Sequence, residues 1–338
     1  MKINPPQADD FPGIDTEAMD YLISRGASPG CAVVMSSPER YFEFSSGMYS
    51  DTDRRPAGPH TLYDVASLTK LFTTALVLRL FDEGKTGLEE RMSEYLPHFK
   101  DSALTVRDLL THRARMVCEP LSKTAIETPD IRALAERIPV SPAASPHFFY
   151  QNATFLFLGL LVEELRGRTF ADCLLEMISE LGLRETRIGS ESGLDAPPTE
   201  IRGGEPWANR THDESSHLCG GVTGYAGIFA SACDLMKFGR AWLDFKIASP
   251  GATGNAFTNY GKYPGEEQGL GWFNTLQRFP CLSRDVFCHS GYTGPLLAVN
   301  PKKGRVYALC CNRTYYGRNN QLYRELWARM LASELTVQ

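Results

Sequence analysis

The chain lacks any apolar run long enough to cross a bilayer; its longest, residues 155–162, falls far short of the roughly 20 residues that a spanning helix needs. It also lacks a basic excess. Lys and Arg number 35 against 40 Asp and Glu, a formal net charge of −5, which leaves no electrostatic footprint for nucleic acid or for an anionic membrane surface. The opening Met-Lys-Ile-Asn-Pro-Pro has no apolar core and no small-residue cleavage site, so a cytoplasmic protein without a secretory leader is expected. There is no paired cysteine framework either. The nine cysteines are an odd number scattered from Cys31 to Cys311, mostly inside apolar runs, and read as reduced, buried thiols. His212, His217 and Cys219, like Cys281, Cys288 and His289, lack metal-binding spacing, so no metal and no cofactor is expected.

What is present is material for a large core. Of 338 residues, 43% are hydrophobic and 22% charged, enough for about two domains or one α/β unit with an insertion. Residues 31–35 are an unbroken apolar run, 36–40 carry turn chemistry and 41–44 alternate, which predicts a hairpin. From Asp64 the period becomes helical and apolar on most sides, and Gly84 and Gly87 stop it. Helices are predicted over 106–110, 131–137, 154–165 and 171–181, strands over 222–230, 286–289, 295–300 and 306–311, and an amphipathic helix over 319–334. Strands, helices, strands and a helix, in that order, predict a sheet domain interrupted by helices. Its first part is expected in residues 1–70, a helical lobe in 71–215 and its second part in 216–338.

Three short motifs carry chemistry. In Asp64-Val65-Ala66-Ser67-Leu68-Thr69-Lys70, Ser67 and Lys70 stand at i and i+3, on one helical face. A serine hydroxyl is a poor nucleophile until a base removes its proton, and an amine in a dry cleft near the positive end of a helix can be that base. The Ser67 amide, in the first turn, is an oxyanion donor. Asp64 could cap that amide and remove it, so the carboxylate is expected on the Ala66 amide instead. A Ser-x-x-Lys match alone is weak, because it recurs by chance. Tyr150-Gln151-Asn152, just ahead of an apolar helix, adds a phenol able to shuttle a proton and an amide able to orient a carbonyl or the lysine. Read alone, Tyr150 is a core aromatic with a wet tip. His289-Ser290-Gly291-Tyr292, on a strand end, would let a substrate backbone lie against the sheet edge, with the Tyr292 amide as second oxyanion donor.

Together these motifs resemble the penicillin-recognising serine hydrolases: class C β-lactamases, low-molecular-weight DD-peptidases and related esterases, whose signature pairs Ser-x-x-Lys with a second polar triplet and Lys-Thr-Gly. The likeness extends over Pro29-Gly30, Leu104 to His112, Leu156 to Gly159 and Thr211 to Phe229. It implies an α+β fold of the β-lactamase/transpeptidase type, an antiparallel sheet flanked by helices with an all-helical lobe. By the same resemblance Ser67 is the nucleophile, Lys70 and Tyr150 the base pair, and Asn152, His289, Ser290 and Gly291 the substrate and proton-network contacts. His289 stands where the family usually has lysine, as in some DD-peptidases. His212 and Arg313 are further candidate substrate contacts, Arg313 for a carboxylate unless it is an ordinary surface arginine. The expected partner is a small ester or amide, hydrolysed or passed to another nucleophile. A D-amino-acid or DD-carboxypeptidase activity, and a catalytically silent scaffold, are the alternatives.

Other matches are read as structural. Lys85-Thr86-Gly87 falls at the end of the helix that carries Ser67. Gly26-Ala27-Ser28-Pro29-Gly30 mimics a nucleophile elbow, but Pro29 has no N–H to donate. Gly221, Gly224 and Gly227 suit close backbone packing behind the cleft rather than a phosphate cradle, and His112 reads as structural.

Overall fold

A computed structural model describes residues 11, 14–116, 121–274 and 282–335; the leading residues 1–10, Cys118 and Cys281 lie outside them. The strands are β1 (Gly30–Ser36), β2 (Tyr41–Gly47), β3 (Tyr63–Asp64), β4 (Arg187–Ile188), β5 (Glu200–Arg202), β6 (Glu205–Trp207), β7 (Ile228–Ala230), β8 (Phe273–Asn274), β9 (Phe287–Ser290), β10 (Leu296–Asn300) and β11 (Arg305–Cys311). The helices are α1 (Thr16–Ser24), α2 (Thr69–Asp82), α3 (Val106–Leu110), α4 (Leu121–Glu127), α5 (Ile131–Glu136), α6 (Asn152–Arg166), α7 (Phe170–Glu180), α8 (Glu214–Leu218), α9 (Ala232–Leu243), α10 (Pro250–Ala256) and α11 (Tyr323–Met330).

Strand β1 is buried along its whole length, so it needs a neighbour on each edge and a layer on each face. It pairs antiparallel with β2, as the hairpin pattern predicts, and with β11, where Val33 faces Leu309. The six-stranded sheet runs β2-β1-β11-β10-β9-β8. Residues alternate between its faces. Ala32, Val34, Leu297, Val299, Val306, Ala308 and Cys310 join the core shared with α2, α6 and α9. Cys31, Val33, Met35, Leu296, Ala298, Tyr307, Leu309 and Cys311 pack with Met19 and Ile23 of α1 and with Leu326 and Trp327 of α11. The adjacent Cys310 and Cys311 therefore point to opposite faces. All seven described cysteines are free thiols.

Helix α2 is buried from Thr69 to Leu78 and at Leu80, in keeping with its apolar circumference, and it contacts α6, α7 and α10. Burial of each of its Leu and Val side chains and of Phe72 contributes about 1.5–3 kcal/mol. No helix among the described residues is long and apolar enough to cross a membrane.

Two predicted elements are shorter than expected. The strand over 222–230 reduces to β7, because Gly220, Gly221 and Gly227 have φ of +89°, +89° and +113°, outside the extended region. A Cβ at Gly224 would strike the Phe155 carbonyl of α6, so this run is a close-packed turn. The closing helix begins at Tyr323, because Asn320 Nδ2 donates to the carbonyls of Gly26, Ala27 and Arg313 and holds the preceding segment off the helix axis.

Candidate active site

The nucleophile turn is built from both sides. Strand β3 pairs with β7 and delivers the chain into a 3₁₀ turn, Ala66–Leu68, from which α2 continues at Thr69. Ser67 thus sits in the tight turn ahead of the α-helix rather than in its first α-turn. Ala66 has φ +47°, a left-handed backbone that a non-glycine residue keeps only where its surroundings impose it. Part of that imposition is Asp64, whose Oδ1 accepts from the Ala66 amide at 2.8 Å, as expected. Its Oδ2 accepts from the His212 amide at 2.7 Å. Burial pushes the Asp64 carboxyl up, against these hydrogen bonds and the neighbouring His212.

Lys70 is fully buried. Its Nζ lies 3.0 Å from Ser67 Oγ, 3.0 Å from Asn152 Oδ1 and 3.3 Å from the Tyr225 carbonyl. It also stands 4.9 Å from the centroid of the Tyr150 ring. Asn152 opens α6, and the residue before it, Gln151, is extended and tied to Met116 through both ends of its amide. Tyr150 is 38% exposed, and its hydroxyl has no hydrogen-bond partner among the described residues.

From the sheet, β9 brings Ser290 and Gly291 to the same cleft. A Cβ on Gly291 would collide with the Val65 carbonyl, so only glycine lets the strand end approach the nucleophile turn this closely. His289 does not reach the cleft as its motif suggested. It is 1% exposed, stacked on Phe273 with centroids 4.6 Å apart and 6.1 Å from the Tyr150 ring.

A cleft of about 570 Å³ joins Ser67, Tyr150, Asn152, Ser290, Gly291 and Tyr292. Its far wall carries Asp213 and Glu214, which lie in the 211–229 stretch of the family likeness but had no role assigned, and Arg318 with Tyr323, Arg324 and Trp327 of α11, which no motif flagged. Arg313 belongs to this wall and is no surface arginine, being 5% exposed. Its Nε donates to the Tyr292 carbonyl at 2.6 Å and its Nη1 to the Arg318 and Asn320 carbonyls. Tyr292 and Tyr323 flank the guanidinium at 4.5 and 4.8 Å. Among the described residues no carboxylate pairs with it. His212 is buried, 3.2 Å from Glu200 through Nε2 and 5.6 Å from the Tyr292 ring. Burial alone would raise the Glu200 carboxyl, but hydrogen bonds from His212, Arg318 and Arg202 outweigh it and hold the group well below the usual carboxylate range. Tyr225 was not singled out from sequence as a lysine partner; its only signal was its place in the Gly220–Gly227 run.

The remaining motif matches have structural partners. Ser28 donates to the Gly30 carbonyl and accepts from the Asn312 amide. Lys85 follows the left-handed Gly84 and donates to the Leu165 carbonyl. His217 packs edge-on against Trp207.

An antiparallel sheet layered by helices, with this cleft at one edge, is the β-lactamase/transpeptidase-like fold. The chain belongs to the Beta-lactamase family, whose model matches residues 16–329, and is accordingly a serine hydrolase of that family. A class C beta-lactamase superposes with a TM-score of 0.77 at 18% identity, covering 99% of this chain and 100% of that one. The D-alanine carboxypeptidase AmpC of Burkholderia cenocepacia gives 0.75 at 20%, covering 97% and 100%. In sequence, a putative D-alanyl-D-alanine carboxypeptidase of Escherichia coli (strain K12) is 25% identical over 75% of this chain and 70% of its own length. Protein flp of Staphylococcus aureus (strain MW2) is 24% identical over 57% of this chain, a match that spans only 42% of flp.

Proposed function

We propose that this protein is a serine acyl-hydrolase that forms an acyl-enzyme on Ser67 from a small ester or amide and releases it to water or to another nucleophile. The observation that carries the reading is the contact of Lys70 Nζ with Ser67 Oγ at 3.0 Å, beside a second 3.0 Å contact to Asn152 Oδ1. With Asn152 Oδ1 and the Tyr225 carbonyl accepting from the same amine, its remaining position is directed at the serine hydroxyl. Ser67 Oγ attacks the substrate carbonyl as its proton passes to Lys70. The amides of Ser67 and Tyr292 receive the developing oxyanion. Tyr150 relays the proton from Lys70 to the departing alkoxide or amine, the C–O or C–N bond breaks, and the acyl group stays on Ser67. Attack by water reverses these roles and frees the acid; an alcohol or amine in place of water makes the enzyme a transacylase.

A narrower reading, a D-amino-acid or DD-carboxypeptidase acting in the cytoplasm, draws support from Arg313. A buried guanidinium without a carboxylate suits a substrate that supplies one. The relatives described as D-alanine carboxypeptidases point the same way. The test is incubation with a fluorescent penicillin or fluorophosphonate and with p-nitrophenyl acyl esters, repeated with Ser67→Ala. Mass addition at Ser67 with ester turnover supports the hydrolase. Folded protein that neither labels nor turns over would leave a silent scaffold.

A further inference from the structure

His112 lies one layer behind the cleft and meets every part of the segment that presents Tyr150. Its backbone is left-handed, with φ +52°, a conformation that persists in a non-glycine residue only where neighbours impose it. Its carbonyl accepts from the Phe149 amide at 2.8 Å. Its ring Nδ1 accepts from the Gln151 amide at 3.4 Å and lies 3.1 Å from the Thr154 hydroxyl. The two amides flanking Tyr150 are therefore both held by one residue, one through its main chain and the other through its ring. The imidazole packs on the Tyr150 ring with centroids 4.7 Å apart, and Phe148, Phe155 and Phe273 close the box at 5.6, 5.1 and 6.3 Å.

The imidazole leaves Nε2 buried with no hydrogen-bond partner among the described residues, a cost that an apolar ring would avoid only by giving up the Nδ1 contact with the Gln151 amide. Burial, reinforced by the Lys70 charge, holds the ring well below its ordinary histidine range. It stays neutral, and Nδ1 remains an acceptor.

We propose that His112 is a positioning residue for Tyr150: carbonyl and Nδ1 fix the main chain on either side of it, and the imidazole sets the plane of the phenol that protonates the leaving group. This rests on the acyl-hydrolase reading above. The role differs from general packing in its dependence on the leaving group, because p-nitrophenolate departs without a proton and an alkoxide does not.

The test compares kcat/KM for a p-nitrophenyl ester and for the ethyl ester of the same acyl group, in wild type, His112→Phe, His112→Asn, Tyr150→Phe and His112→Phe/Tyr150→Phe. His112→Phe is expected to slow the ethyl ester at least about tenfold more than the p-nitrophenyl ester. His112→Asn, which tolerates the left-handed backbone and offers Oδ1 to the Gln151 amide, should recover part of the loss. In the Tyr150→Phe background, His112→Phe should add less than about twofold. Equal losses on both esters, additive losses in the double variant, or unchanged rates in both His112 single variants would each overturn the proposal. If His112→Phe does not fold, His112→Asn against Tyr150→Phe makes the same comparison. Turnover that survives Ser67→Ala would instead sink the acyl-hydrolase reading, so the two failures are distinguishable.

Discussion

The carboxylate of Asp64 receives the amides of Ala66 and His212 on separate oxygens, at 2.8 and 2.7 Å, and so ties the nucleophile turn to a loop 148 residues away in sequence. Its main-chain carbonyl also accepts from the Thr293 hydroxyl at 2.7 Å, which draws in the turn after β9. Asp64→Asn keeps the shape but aims an amide donor at one of two backbone donors. The expected result is a loss of about 1–3 kcal/mol in denaturant unfolding. Acylation of Ser67 should also slow by about tenfold or more, as the turn that presents it relaxes, read by fluorophosphonate labelling kinetics.

Lys70 is buried against neutral acceptors only, so its removal takes away the base without stranding a carboxylate. Lys70→Ala is expected to lower the acylation rate by about a thousandfold or more while far-UV circular dichroism stays that of the wild type. A variant that acylates within tenfold of wild type would assign the base elsewhere.

Arg313 separates the broad function from the narrow one. Loss of a charge-assisted hydrogen bond costs about 1.5–3 kcal/mol, so Arg313→Met should reduce kcat/KM for a substrate with a free carboxylate by about tenfold or more. The matching neutral methyl ester controls for any movement of Tyr292, whose carbonyl Arg313 holds. A ratio of the two substrates unchanged from wild type would remove the carboxylate assignment.

Acid should loosen the end of the chain through Glu334, which is almost fully buried. Burial raises this carboxyl, but hydrogen bonds from Tyr307, Lys303, Asn300 and Arg305 prevail and set it below the ordinary value of 4.5. A carboxyl lowered in the folded state stabilises above its unfolded value, and that stability is lost as pH falls through the folded one. Urea midpoints should therefore drop from pH 6 toward pH 3, and Glu334→Gln, less stable at pH 6, should show a shallower drop.

Some of this protein was written locally. Ser67 and Lys70 are three residues apart, and a single helical turn brings them together whatever the rest of the chain does. The alternating and continuous apolar runs likewise determined β1, β2, β9, β10, β11, α2 and α6, because a strand or helix must bury the face its sequence makes apolar. Only tertiary structure could decide that Asn152, 82 residues beyond Lys70, meets its amine, that a carbonyl of Tyr225 completes that contact, and that Arg313 turns inward between two tyrosines. It also decided that the His289 ring stacks on Phe273 beside Tyr150. Those outcomes depend on how helices and sheet settle against one another, and burial of apolar surface, the force that packs them, carries no direction in the sequence.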